Sequence, residues 1–120
     1  MDHLQHGAYK LSFEVSNIVW NIVGRWSNFE RNTIGNQLVR SVDSIASNIA
    51  EGWSRYYKKD KILFFNYARS SYFESMQWID KAYVRGLIMA SEYSRIDKLS
   101  KSLLKEMNGL IKGTQENLKY

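Results

Sequence analysis

Residues 34–55, IGNQLVRSVDSIASNIAEGWSR, decide the architecture of this chain. Ile34, Leu38, Val42, Ile45, Ile49 and Trp53 recur at 4-4-3-4-4 spacing. That rhythm puts six apolar side chains on one stripe of an α-helix and does not fit the two-residue period of a strand. Asn32 or Thr33 suits the N-cap, since a short polar side chain can accept from the first free backbone N–H groups. Gly52 weakens a helix by about 1 kcal/mol relative to alanine, so its presence near the helix end predicts a bend or a close contact.

The same period runs outward in both directions. Upstream, Leu11, Val15, Ile18, Ile22 and Trp26 form one stripe, which Val19 and Val23 widen. The break between the two helices falls around Ser27-Asn28 and Asn32-Thr33, residue types that suit caps and turns. Downstream, the charged run Lys58-Lys59-Asp60-Lys61 opens a third helix carrying Ile62, Phe65, Ala68, Tyr72, Met76, Ile79 and Tyr83. Gly86 is its natural stop. A fourth helix, capped by Ser91 or Ser94, carries Ile96, Leu99, Leu103, Met107, Leu110, Thr114 and Leu118 at near-heptad spacing.

Four helices of about twenty residues are each roughly 30 Å long. None buries its stripe alone, and short links make neighbours antiparallel. The expectation is an all-α, up-down-up-down four-helix bundle forming one domain over residues 1–120, with residues 1–7 and the last few frayed.

Composition agrees. The 120 residues suit a single core. Cysteine is absent, which excludes disulfides, thiolate metal sites and cysteine nucleophiles. Proline is absent too, leaving long helices uninterrupted. The N-terminus lacks the build of a signal peptide, and no apolar run reaches the roughly 18–20 residues that cross a bilayer. The expected location is the cytoplasm, with no membrane partner. Seventeen Lys and Arg against twelve Asp and Glu give net charge +5, which favours polyanion contact.

Some large side chains stand off the stripes: Trp20 on the first helix, and Phe64, Tyr67, Phe73 and Trp78 on the third. A helix that is apolar on more than one face is central or at an interface. In a bundle this small the second reading fits better, so these five residues are the candidate contacts of a homo-oligomer.

Residues 37–55 also carry a resemblance. Gln37, Arg40, Ser44, Ile45, Asn48, Ile49, Ala50, Glu51, Gly52 and Arg55 occupy the marked positions of Q-[LI]-x-R-[AS]-x-x-S-I-x-x-N-I-A-E-G-x-x-R. This segment resembles the bacterial four helix bundle protein family, which includes proteins encoded by intervening sequences inside 23S rRNA genes. The likeness continues through Lys58-Lys59, Phe64, Ala68, Ser70-Ser71 and Glu74. Departures are Ala46, where many members have proline, the acidic Asp43, and Tyr57 in place of the serine that usually caps the third helix. The resemblance implies a left-handed bundle that assembles as a ring, in known relatives a homopentamer. It also implies a link to nucleic acid, because the similarly folded accessory protein of diversity-generating retroelements binds a reverse transcriptase and nucleic acid.

The signature residues Gln37, Arg40, Asn48, Glu51 and Arg55 form a polar cluster beside the Ile45/Ile49 stripe. Asn48 and Glu51 are three apart, Glu51 and Arg55 four apart, so they neighbour one another on the helix. Two readings stand: a bonding network that fixes register or subunit contacts, or a ligand site in which Arg40 and Arg55 grip phosphate or carboxylate. A catalytic reading finds little. Glu51 has no second carboxylate at helical spacing, and no phosphate loop, nucleophile elbow or metal-ligand spacing is present. His3 and His6 fall at the terminus, outside any Glu-x-x-His pattern. No catalytic, cofactor or metal residue is assigned, and the chain is read as a non-enzyme.

Basic residues fall in two groups. Arg55, Lys58, Lys59 and Lys61 interleave with Tyr56 and Tyr57 at the turn between helices two and three. Lys98, Lys101, Lys105 and Lys112 line one face of helix four. Lines of positive charge contact phosphate backbones, and rings stack on unpaired bases. A ring of subunits would repeat each patch and add avidity. The alternative is a solvated face that keeps the protein soluble. The partner is then RNA or DNA, or else a protein encoded nearby on an oligomeric scaffold.

Overall fold

The computed structural model describes residues 6–119, which form four long helices and, among these residues, no strand. Helix α1 spans Gly7–Gly24. The second helix is one continuous rod over residues 28–54, called α2 here. It comprises an α-turn Asn28–Glu30, a π-helical stretch Arg31–Gly35 and the α-helix Asn36–Ser54. Helix α3 spans Lys58–Val84 and α4 spans Ala90–Asn117. Residues 25–27, 55–57 and 85–89 link them. Each helix reverses the previous one, α1 and α3 both pack against α2 and α4, and the result is the expected up-down-up-down bundle, 49 Å long.

The α2 register is the one its spacing dictates. Ile34, Leu38, Val42, Ile45 and Ile49 are all buried, and Trp53 sits half-buried at the end. The start differs from expectation. Ser27, not Asn32 or Thr33, is the cap, its hydroxyl accepting the Glu30 N–H at 3.5 Å. The Thr33 hydroxyl instead donates to the Phe29 carbonyl within the helix. The π stretch absorbs one extra residue and brings Gly35 against α1, where a Cβ would lie 2.9 Å from Val23 Cγ1. Gly52 marks a close contact. A Cβ there would lie 2.4 Å from Phe65 Cε1 and 3.1 Å from the Lys61 carbonyl, so glycine lets α2 and α3 converge.

At α4 the expected serine cap is replaced by Glu92, whose carboxylate accepts the Met89 N–H at 3.0 Å. Gly86 ends α3 with φ +78°, a conformation few other residues adopt. The terminus also differs from expectation. His6 caps α1, its Nδ1 accepting the Ala8 N–H at 3.0 Å, and Gly7 is already helical. His3 and residues 1–5 lie outside the described residues.

The core has two halves. Val15, Val19, Ile22, Leu38, Ile79 and Ile96 centre one, closed by Trp26, whose indole N–H donates to the Leu87 carbonyl at 2.9 Å. Ile45, Ile49, Phe65, Tyr72, Leu103 and Met107 centre the other, and Met76 packs against both. Ser12, Ser16, Ser41 and Ser75 are buried as well. Each of these hydroxyls donates to a carbonyl three or four residues back, which removes the cost of burial and keeps the helices close. Among the described residues no helix is long and apolar enough to cross a membrane.

Candidate functional site

Helix α2 carries three flanks. Its apolar stripe faces the core. Gln37, Arg40, Ser44, Asn48, Glu51 and Arg55 follow one another at 3-4-4-3-4 spacing on the flank toward α3. There the Arg55 guanidinium lies 4.4 Å from the centroid of Phe64, and Gln37 shares a shallow depression with Trp78, Phe29 and Arg85. Of the bonding network that is one of the two readings, a single chain contains one link. Arg55 pairs with Glu51 at 2.7 Å, but the Asn48 amide donates to the Ser44 carbonyl of its own turn. Arg40 and Gln37 are exposed and make no side-chain bond within the described chain. The signature is therefore a surface, with its residues aligned and mostly not joined.

The rings on α3 divide between two flanks. Phe64 and Tyr67 contact each other edge-to-face at 5.4 Å on the α2 side, and Trp78 lies further along the same stripe. Phe73 lies on the other flank under Arg69, which also reaches Asn108 of α4. Cations cover three of these rings: Arg55 over Phe64, Arg69 over Phe73, and Lys81 over Trp78 at 4.7 Å. Phe64 and Trp78 are half-buried, while Tyr67 and Phe73 are each 48% exposed.

The third flank of α2 faces α1, and here the hydropathy pattern missed a feature. Trp20 is 65% exposed and Phe13 51% exposed, seven residues apart on α1. With Tyr9, Asp43, Ala46 and Ala50 they line a groove of about 490 Å³. Trp20 also borders a second depression, so the groove continues past Val39 toward the π stretch. Small α2 residues make the floor. Asp43, the acidic departure in the signature, sits in this groove, and burial raises its carboxyl above the usual range. The signal for Phe13 was its seven-residue spacing from Trp20.

At the α2–α3 turn Tyr56 and Tyr57 are exposed and meet edge-to-face at 5.1 Å. Arg55, Lys58 and Lys59 flank them. Lys61 does not join this group. Its ammonium turns inward and donates to the Trp53 carbonyl at 3.0 Å and the Gly52 carbonyl at 3.5 Å, satisfying the free C-terminal carbonyls of α2. Tyr57 stands at the N-cap position of α3 without a side-chain cap bond. On α4, Lys98, Lys101, Lys105 and Lys112 are all exposed along one face, with Lys101 paired to Asp97 at 2.9 Å. Among the described residues no group of three His, Cys, Asp or Glu is placed to hold a metal ion.

The fold and this surface define an antiparallel four-helix bundle whose distinctive residues lie on the outer flanks of one helix. Residues 5–109 match the model of the 23S rRNA-intervening sequence protein family, and the chain belongs to that family. A crystal structure of a protein of unknown function, from the S23 ribosomal protein family of Bacteroides thetaiotaomicron, is similar over 88% of this chain and 98% of its own, at 24% identity and a TM-score of 0.77. That likeness is one of fold. No curated protein matches the chain.

Proposed function

We propose that this protein is a non-enzymatic binding module that assembles with copies of itself and contacts RNA or DNA through basic patches repeated around the assembly. The observation that carries the nucleic-acid half is the α2–α3 turn: two exposed tyrosine rings set among Arg55, Lys58 and Lys59. Rings of this kind stack on unpaired bases while the cations meet phosphate. The family's description, which names an intervening sequence of 23S rRNA, is in keeping with an RNA setting.

The assembly half is supported by the α1–α2 groove. Bare Phe13 and Trp20 in so small a chain are surface of the kind that partners cover. A closed ring, five-membered as the family resemblance implies, needs two different patches that meet head to tail. The groove offers one, and Tyr67 of α3, which is exposed and has no cation over it among the described residues, offers the other.

A second reading keeps the assembly and replaces nucleic acid with a protein partner. Lys61 is spent on α2 carbonyls, and Arg55 and Lys101 on carboxylates, so less charge faces solvent than the sequence count suggests. A fluorescent structured RNA and a matched DNA duplex, titrated at several salt concentrations, separate the two. Sub-micromolar binding that weakens steeply with salt and is lost in Lys58→Glu/Lys59→Glu supports the nucleic-acid reading. No binding at physiological salt by protein of confirmed multimeric mass would overturn it in favour of the scaffold.

A further inference from the structure

Where α2 begins and α3 ends, Phe29, Thr33, Ile34, Gln37, Trp78 and Arg85 line a depression of about 580 Å³. It lies at the far end of α2 from Tyr56 and Tyr57, about 40 Å away at 1.5 Å per residue, and the proposed function leaves it unused. Its volume falls in the range of about 300–1,000 Å³ typical of small-molecule sites. Ile34 is buried at its floor, and the half-buried Trp78 forms a wall with Lys81 already over its ring.

Three groups meet here with no partner of their own. Phe29 is 75% exposed and touches no other ring among the described residues. Among the same residues the Gln37 amide makes no hydrogen bond, and the Arg85 guanidinium makes neither a hydrogen bond nor an ion pair. No carboxylate lines the depression. Each group selects a different part of one ligand. An open ring face stacks on a planar heterocycle. A primary amide sets one donor beside one acceptor, which complements adenine, whose N6 amino group donates next to an accepting N7. Guanine presents two acceptors on that edge and fits less well. A guanidinium holds phosphate through two parallel N–H bonds. The Thr33 hydroxyl gives its proton to the Phe29 carbonyl at 2.7 Å, so its oxygen is left to accept from a sugar hydroxyl.

We propose that this depression binds an adenine nucleotide, its base stacked on Phe29 and paired with the Gln37 amide, and its phosphate held by Arg85. The nucleotide is free or stands at the end of a strand, since both present the same base, sugar and phosphate. The site is separate from the tyrosine-bearing turn and does not rest on that turn binding nucleic acid.

The test is a titration of the ¹⁵N-labelled protein with AMP, adenosine, GMP and ribose 5-phosphate, following the Gln37 side-chain amide signals assigned with Gln37→Leu. AMP shifts them saturably and binds at least about ten-fold tighter than adenosine, which lacks the charge that Arg85 meets. GMP and ribose 5-phosphate bind more weakly than AMP. Arg85→Gln brings AMP down to the level of adenosine, and Phe29→Ala loses both. Each of these residues is exposed, so both variants keep their helical circular dichroism. Lys58→Glu/Lys59→Glu leaves AMP binding unchanged. Hexa-adenylate separates the two sources: binding tighter than AMP through the same signals assigns a strand end, equal or weaker binding a free nucleotide, and either supports the site. No saturable shift with AMP, equal binding of adenosine, GMP or ribose 5-phosphate, unchanged AMP binding in a folded Phe29→Ala, or its loss in Lys58→Glu/Lys59→Glu would each overturn the proposal.

Discussion

Toward α3, helix α2 presents Gln37, Arg40, Asn48, Glu51 and Arg55; toward α1 it presents Val39, Asp43, Ala46 and Ala50. The neighbouring rings are treated differently on the two sides. Phe64 and Trp78, beside the polar flank, are half-buried and covered by Arg55 and Lys81. Phe13 and Trp20, beside the small-residue flank, are more than half exposed, and no cation covers them among the described residues. A cation over a ring completes it within the chain, at about 0.5–1 kcal/mol for an exposed pair. The bare rings over the alanine floor are the surface that the proposed assembly would cover. Both flanks belong to one helix and one signature, so chemistry that reads as a single site in sequence splits into a surface whose rings are covered within the chain and one whose rings are bare.

The largest expected effect comes from charging the side with bare rings. Trp20→Glu should reduce the native mass to that of one 14.1 kDa chain while leaving circular dichroism and melting unchanged, because the ring adds little to the monomer's own packing. Trp78→Glu should behave in the opposite way. Its ring packs against the core half around Ile79 and Ile34, so the loss is one of stability, about 3 kcal/mol by urea unfolding. If Trp78→Glu dissociated the protein without destabilising it, the contrast between the flanks would be reversed.

Arg55→Ala removes both the Glu51 pair and the cation over Phe64, and should cost about 1 kcal/mol, since both contacts are partly solvated. Asp43→Asn should have the smallest effect and the most specific signature. Burial raises the folded pKa of Asp43, so the charged form penalises the folded chain above that pKa, and the penalty is gone below the ordinary value of 3.8. The variant should melt slightly higher at pH 7 and no higher at pH 3, a small effect because Asp43 keeps much of its contact with solvent.

The fold was legible because apolar spacing along each helix is a one-dimensional signal, and the α2 stripe reads straight into burial at Ile34, Leu38, Val42, Ile45 and Ile49. The serine layer was not. Ser12, Ser41 and Ser75 count as polar in any hydropathy pattern, yet each returns its proton to its own helix and packs like a small apolar residue. Helix starts were missed for a related reason. Ser27 and Glu92 won the capping roles over Thr33, Ser91 and Ser94 because the chain's path into each helix decides which oxygen faces a free N–H.

The site was half legible. Spacing put Gln37 to Arg55 on one flank, but whether neighbours bond depends on side-chain direction, which three- and four-residue intervals do not supply. Lys61 shows the limit most clearly. Its place in a basic run suggested phosphate, whereas the carbonyls ending α2 lie within its reach and hold it inward.

In the proposed assembly a second copy covers the α1–α2 groove. Native mass measured by light scattering over a dilution series tests this most directly. The expected result is a discrete multiple of 14.1 kDa that persists on dilution and is lost in Trp20→Glu. A single-chain mass for the unmodified protein at every concentration would contradict it.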